Sequence, residues 1–291
     1  MSQVGVIMRT KDRPLLLRRA LDSVLGQSFT GWQLVVVNDG GDPAHVDRLI
    51  NERRPAFRGR VRVIHHATSV GMEAASNRGL AELSTRWAMI HDDDDSLHPG
   101  FMEAAVAYLT DPPHARVKGV ITHTERVWEE LTASGAEERK VEPYNTWLQD
   151  ISLRRMLVEN VFAPIAFVFD REACEEVGRF REDLPVLGDW DFNVRFLCHY
   201  EIGVVPRILA RYHNRLQLSR SAYDSSVSGA RDKHAWFDNF LRNEWLRADI
   251  AAGRTGVGVI ANEVRMFGDL GWDLREALKS KTKAKWRLFR K

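Results

Sequence analysis

Trp87-Ala88-Met89-Ile90-His91-Asp92-Asp93-Asp94-Asp95 is a short apolar run that ends in four consecutive carboxylates. Like charges a few ångströms apart repel and raise each other's pKa, so such a run needs either solvent around it or a cation among it. The apolar half reads as a buried strand, and the acids are followed by Pro99-Gly100 and a helix-like Phe101-Met102-Glu103-Ala104-Ala105-Val106-Ala107-Tyr108-Leu109. Carboxylates at the exit of a strand sit where open α/β sheets bind ligands, and hard oxygen ligands suit Mg2+ or Mn2+. The plain alternative is a solvated loop that caps the next helix.

Towards the N-terminus, Val4-Gly5-Val6-Ile7-Met8 reads as a strand and Arg9-Thr10-Lys11-Asp12-Arg13 as the loop leaving it. Pro14 fits the first turn of a helix, where its missing N–H costs nothing. Leu17, Ala20, Leu21, Val24 and Leu25 then repeat at helical spacing up to Gly26. Leu34-Val35-Val36-Val37 is an unbroken apolar run, which predicts a strand covered on both faces, as in a parallel sheet. It ends in Asn38-Asp39-Gly40-Gly41-Asp42. A helix-like segment from His45 to Glu52, a strand candidate at Val61-Arg62-Val63-Ile64 and a small-residue helix fed by Ser69-Val70-Gly71 follow.

Strands alternating with helices, without repeats or low-complexity tracts, predict an α/β fold: a Rossmann-like, doubly wound and mostly parallel sheet with helices on both faces. Every parallel strand of such a sheet ends on the same edge. Thr10, Asp39 and the Asp92 to Asp95 cluster should therefore meet along one rim.

Past Asp111-Pro112-Pro113 the alternation weakens. Gly119-Val120-Ile121-Thr122 reads as a strand, the polar stretch from Glu129 to Glu142 as a surface excursion, and Ile151 to Leu157 as a helix. The apolar segment Phe162 to Phe169 is expected to lie across the sheet. Arg171 to Gly178 reads as a helix stopped by glycine. Gly188-Asp189-Trp190-Asp191 then places acids at the entrance of an apolar helix, and a strand around Ile202 to Ile208 leads to Arg211-Tyr212-His213-Asn214. From about Ser221 the chain is helix-like and rich in Trp and Arg. The expected division is 1–220 for the main domain and 221–291 for a C-terminal helical extension.

At 291 residues with 44% apolar content the chain can bury a sizeable core. Its net charge of +2 hides a basic end: Lys279, Lys281, Lys283, Lys285, Arg287, Arg290 and Lys291 stand without an acid among them. That tail, with Trp286, Leu288 and Phe289, could be a solubilising end or could rest on an anionic membrane surface, where each basic residue contributes about 1 kcal/mol. No recognition module for nucleic acid accompanies it. Cys174 and Cys198 lack metal-ligand spacing and point to a reducing compartment. The N-terminus has no signal-peptide core, and no run of about 18 uncharged apolar residues occurs. A cytoplasmic protein, soluble or peripheral at the inner face of a membrane, is the expectation.

Residues 1 to 215 resemble the inverting glycosyltransferases of family 2, which have the GT-A fold. Thr10-Lys11-Asp12-Arg13-Pro14 after the first strand, Val37-Asn38-Asp39-Gly40 after the second, and Asp92-Asp93-Asp94-Asp95 with Pro99 four residues on carry the likeness. Val177-Gly178-Arg179-Phe180 followed by Gly188-Asp189-Trp190-Asp191 resembles the family's acceptor-side segment. The resemblance implies transfer of a sugar from a nucleotide-sugar donor to a carbohydrate or glycolipid acceptor, in polysaccharide or glycolipid assembly. It places Thr10 and Asp39 against the nucleoside, with Asp92 and Asp93 also on the donor side. Asp92 and Asp94 match the family's Asp-x-Asp pair, whose second member reaches Mn2+ or Mg2+ and whose first lies near the ribose. Asp189 matches the catalytic base, with Asp191 as its competitor. His213 resembles a histidine that in some relatives approaches the metal or the diphosphate.

The chemistry needs these types. A departing nucleoside diphosphate gains negative charge that a divalent ion offsets, and an acceptor hydroxyl needs a carboxylate to take its proton. Bland roles stand beside each: Asp39 could stabilise an Asn-Asp-Gly turn, Asp189 could be a helix cap, and His213 could be structural. The sequence also departs from the family's pattern. Ser69-Val70-Gly71 and Ser76-Asn77 stand where relatives often show Asn before Gly and Arg before Asn, and Gly188 stands where an acid commonly precedes the base. Two rival functions are a sugar-phosphate nucleotidyltransferase, which would need a glycine-rich loop after the first strand, and a non-catalytic nucleotide- or carbohydrate-binding module on the same fold.

Overall fold

The computed structural model describes residues 3–132, 135–215 and 231–267. Its first strand, β1 (Val4–Thr10), is buried at every position, because it lies between two parallel neighbours, β2 (Trp32–Asp39) and β4 (Trp87–Asp92). A strand walled in on both faces can be apolar throughout, which is why Leu34 to Val37 shows no alternation. The third strand, β3 (Val61–His66), extends the parallel set beyond β2. Register fixes the rim: Thr10 lies beside Asn38, Arg9 beside Asp92, and Asp39 beside His66.

Helices connect these strands. Pro14 opens α1 (Pro14–Leu25), whose buried stripe is Leu16, Leu17, Ala20, Leu21 and Val24. The second helix, α2 (Pro43–Phe57), is capped by the Asp42 carboxylate, which accepts from the Ala44 N–H. The third, α3 (Met72–Leu80), packs on β1 and β2. Beyond β4 come a two-residue strand, β5 (Ser96–Leu97), and α4 (Phe101–Thr110).

The second half of the chain departs from the sequence expectation in three places. The segment from Glu129 to Glu142 does lie largely at the surface along β7, but it is a paired hairpin rather than an irregular excursion, β6 (Val117–Thr132) with β7 (Gly135–Pro143), and it begins at a buried residue. Its polarity misleads because one side of the hairpin faces solvent, while Val127 and Glu129, two apart on β6, are fully buried. Phe162 to Phe169 does not lie across the sheet. After a single 3-10 turn it enters the sheet as β8 (Phe167–Asp170), antiparallel to both β4 and β6. The strand expected around Ile202 to Ile208 runs on as β9 (Glu201–Arg215), parallel to β6, and so carries its far end to the rim. The sheet order is β3-β2-β1-β4-β8-β6-β9-β5, with β7 paired to β6.

Between these strands lie α5 (Leu153–Val158), α6 (Arg171–Glu176) and α7 (Gly188–His199). Phe192 and Phe196 of α7 pack on Phe169 and Phe167, with ring centroids 5.3 and 5.5 Å apart. Truncating such a core phenylalanine typically costs about 3–5 kcal/mol, so the start of α7 has a firm base. Helix α8 (Arg231–Ala251) docks on α7 through Trp245, 5.3 Å from Trp190, and a helical stretch from 257 to 267 follows it. Leu241 and Ala261 belong to the same buried core as the sheet. The division expected at 220 and the basic tail from Lys279 to Lys291 lie outside the described residues. Among those described, no helix is long and apolar enough to cross a membrane. Cys174 and Cys198 are free thiols.

Candidate active site

The four aspartates alternate in exposure at the exit of β4. Asp92 and Asp94 are half-buried and border a cavity of about 110 Å3, whereas Asp93 and Asp95 are buried. The Asp93 carboxylate turns back into the fold, where Oδ2 accepts from the Thr10 hydroxyl at 2.6 Å and Oδ1 lies 2.5 Å from Arg13 Nη2. Burial, against the pull of Arg13, pushes its pKa upward. Asp95 accepts from the His213 N–H at 2.9 Å and so ties the turn to β9. One oxygen each from Asp92, Asp94 and Asp95 lies within 4.8 Å of the others, a hard donor set that fits a divalent cation of the Mn2+ or Mg2+ kind.

Arginines hold the turn in place. Arg9 Nε and Nη2 donate to Asp92 Oδ1 at 2.8 and 2.5 Å, and Arg9 Nη1 reaches Ser76 Oγ at 3.1 Å. Asp94 Oδ2 accepts from Arg215 Nη2 at 2.5 Å and from Arg13 Nη1 at 3.2 Å. Burial alone would raise the Asp94 pKa; the two guanidiniums hold it down to about 2. Arg19 donates to the Asp94 carbonyl at 2.5 Å and to Glu129 Oε2 at 2.5 Å.

Glu129 is fully buried. Burial would lift its pKa, yet hydrogen bonds from His213 and Arg19 hold it at about 2. Its partner His213 is lowered by burial and therefore neutral. With Nδ1 3.0 Å from the Glu129 carboxylate and Nε2 2.8 Å from the Ser96 hydroxyl, the proton belongs on Nδ1. Both ring nitrogens are thus engaged by Glu129 and Ser96, while the residue borders the same cavity as Asp92 and Asp94. Glu129, Arg19 and Arg215 are not marked as site residues by the sequence, and Arg13 is marked only as a member of the stretch Thr10 to Pro14. The only signal for Glu129 was its two-residue spacing from Val127.

Asp39 is held by its own loop. Oδ1 accepts from the Val70 N–H at 2.9 Å and lies 2.9 Å from His66 Nδ1, while Oδ2 accepts from the Ser69 hydroxyl at 2.6 Å and the Gly71 N–H at 3.1 Å. Burial opposes ionisation, but these hydrogen bonds outweigh it and lower the pKa. Gly40, at φ +76°, lets the chain turn here; a Cβ at that position would fall 2.3 Å from the Ser69 nitrogen.

Asp189 stands in the first turn of α7, behind Leu187 in the left-handed region at φ 63°. Its Oδ2 accepts from Asn160 Nδ2 at 2.7 Å. Burial lifts its pKa above the ordinary carboxylate value. Asp189 is the one carboxylate common to two cavities among the described residues: the smaller one it shares with Asp92 and Asp94, and a larger one of about 400 Å3. The larger is walled by Trp128, Tyr144, Phe162 and Tyr212, with Arg126 among them. Asp191 borders neither cavity. It is 1% exposed and bound to Arg195 Nε at 2.8 Å, and burial raises its pKa too.

"Uncharacterized glycosyltransferase YwdF" of Bacillus subtilis is 25% identical over 206 residues, covering 70% of this chain and 71% of that protein. A "PGL/p-HBAD biosynthesis glycosyltransferase" of Mycobacterium tuberculosis is 23% identical over 97% of this chain and 96% of its own. Among solved structures, Staphylococcus aureus TarS 1-349 in complex with UDP-GlcNAc superposes with a TM-score of 0.58 at 17% identity over 77% of this chain and 62% of that one. The mannosyltransferase PcManGT from Pyrobaculum calidifontis, in complex with GDP-Man and Mn2+, gives 0.59 at 18% identity over 90% of this chain and 69% of its own. At these identities the structures establish the GT-A fold alone, and the chain spans about 60% of the TarS 1-349 chain. The sequence model of glycosyl transferase family 2 matches residues 5–178, which is more than half of the chain. The chain therefore belongs to glycosyl transferase family 2.

Proposed function

We infer that this protein moves a sugar from a nucleoside-diphosphate donor to an acceptor hydroxyl, with inversion at the anomeric carbon. The observation that carries this is the place of Asp189, among the described residues the only carboxylate bordering both the cavity of Asp92 and Asp94 and the larger aromatic cavity. The smaller cavity takes the diphosphate and the sugar, the larger one the acceptor. Asp189 then takes the acceptor's proton as its oxygen attacks, and the bond to the diphosphate breaks with its electrons leaving on the phosphate. Such a positioned base contributes about 10²- to 10⁴-fold in rate. Asp191, locked to Arg195 and away from both cavities, is the weaker candidate.

Asp94, Asp92 and Asp95 would hold a Mn2+ or Mg2+ ion, for which their oxygen set fits. When bound, the ion offsets charge gathering on the diphosphate oxygens. Arg13 and Arg215 keep Asp94 ionised and aimed for that task, and Arg9 holds the Asp92 carboxylate in place through two donors to Oδ1. Thr10 and Asp39 act on the nucleoside side by shaping the rim, since Thr10 positions Asp93 and Asp39 organises the loop before α3. His213 supports the turn through Ser96 and Asp95. Aromatic walls beside Asp189 suit the faces of a carbohydrate acceptor, free or on a glycolipid. The named relative in PGL/p-HBAD biosynthesis and the neighbours with UDP-GlcNAc or GDP-Man point the same way. The test is a panel of UDP- and GDP-sugars with Mn2+, scored by nucleoside diphosphate release in the presence of candidate glycan and glycolipid acceptors.

A further inference from the structure

Glu73, on the first turn of α3, belongs to the wall of the smaller cavity together with Asp92, Asp94 and Asp189. It is 5% exposed, and its Oε2 is buried without a hydrogen-bond partner. A buried acceptor left unpaired is costly, and natural structures rarely keep one without use. The nearest cation does not satisfy it: Arg9 Nη1 lies 3.7 Å from Oε2, and the Arg9 donors already go to Asp92, Ser76 and the Met72 carbonyl. The backbone on the other side is shaped to admit this carboxylate. A Cβ at Gly188 would fall 2.4 Å from the Glu73 carboxyl carbon, so Glu73 fills the space that any side chain beside Asp189 would need.

We propose that Glu73 is a specificity-determining residue that accepts a hydrogen bond from a hydroxyl of the transferred sugar. This assignment rests on the glycosyl-transfer reading given above. Charge disfavours a phosphate oxygen as the ligand, because three carboxylates, Asp189, Asp92 and Asp191, act on Glu73 against the single cation Arg9. The diphosphate belongs on the Asp94 side, where Arg13 and Arg215 lie, and the neutral hydroxyls of the sugar ring belong on the Glu73 side. Burial and those neighbouring acids, against the pull of Arg9, push the Glu73 pKa up to about 7. An incoming hydroxyl donor favours the ionised form, so sugar binding and loss of that proton reinforce each other. The substrate class is a donor hexose with a free hydroxyl at that position, which a deoxy sugar lacks.

The experiment measures binding, in the presence of Mn2+, of three probes: the UDP- or GDP-hexose turned over best in the panel, its singly deoxygenated analogues, and the matching nucleoside diphosphate. Glu73→Gln is expected to weaken the nucleotide sugar about 10- to 100-fold, the range for a hydrogen bond to a charged group, and to leave the nucleoside diphosphate unchanged. One deoxy analogue should bind the wild type weakly and lose nothing further in the variant. Gly188→Ala, which displaces the Glu73 carboxylate, should reproduce the same pattern. Equal weakening of sugar nucleotide and nucleoside diphosphate overturns the assignment, as does a wild type that binds every deoxy analogue as tightly as the parent. A wild type that binds the nucleoside diphosphate but no sugar nucleotide overturns it as well. A wild type that binds neither ligand overturns the glycosyl-transfer reading along with it.

Discussion

Arg215, at the end of β9, donates from Nη2 to Asp94 Oδ2 at 2.5 Å across 121 positions of sequence. Arg13, from the loop after β1, reaches the same oxygen at 3.2 Å. A half-buried aspartate among three other aspartates is thereby kept ionised and held in one orientation. Arg215→Met should raise the Mn2+ concentration needed for half-maximal activity and lower the melting temperature, since breaking a buried ion pair costs about 3–5 kcal/mol. An Mn2+ titration of sugar transfer, with a thermal melt alongside, checks both.

The two acids of α7 separate by readout. Asp189→Asn is expected to lower kcat about 10²- to 10⁴-fold with nucleoside diphosphate affinity unchanged. Asp191→Asn should chiefly lower stability, because it leaves Arg195 without its carboxylate partner. Steady-state kinetics and melting curves of the two variants, taken side by side, distinguish base from brace.

Acid should silence activity before it unfolds the protein. The Asp189 carboxyl, raised by burial, must be ionised to accept a proton, so kcat falls on the acid side at a pH above that of an ordinary aspartate. Glu129 behaves in the opposite sense: its folded pKa of about 2 lies below the usual 4.5. The stability it contributes is fully present above about 4.5 and is lost as pH falls towards 2. A pH–rate profile compared with a pH–stability profile should show the activity midpoint at the higher pH. Glu129→Gln should flatten the acid limb of the stability curve.

Gly40→Ala should loosen the rim beside Asp39. Its φ of +76° disfavours a side chain, and the added Cβ would press on Ser69, whose hydroxyl and following N–H groups hold the Asp39 carboxylate. A strained left-handed residue costs on the order of 1–3 kcal/mol, and nucleoside diphosphate affinity should drop with it. Calorimetric titration with UDP and GDP measures the loss.

The first four strands and their helices were legible because each signal is local. Leu34 to Val37 is apolar throughout since both faces are covered, and Leu17, Ala20, Leu21 and Val24 repeat at the helical period. The stretch from Val117 to Pro143 was not legible beyond its start. A hairpin with one solvated side reads as polar, and the burial of Glu129 depends on Arg19, His213 and Arg215, which come from α1 and β9. Phe162 to Phe169 was read as apolar, but nothing local says that β8 will slot between β4 and β6. At the site, the aspartate cluster and Asp189 announce themselves as residue types at strand and helix ends. The alternation that turns Asp93 and Asp95 inward, and the arginines that fix Asp92 and Asp94, follow from tertiary contacts between residues more than 70 positions apart.

The most direct measurement is nucleoside diphosphate release from a nucleotide sugar by wild type and Asp94→Asn, with Mn2+ and after EDTA. Turnover by the wild type should require the metal, vanish with EDTA, return on adding Mn2+, and drop about 10²-fold or more in the variant. Undiminished turnover in EDTA, or an Asp94→Asn enzyme as fast as the wild type, would contradict a metal-assisted departure of the diphosphate at this aspartate.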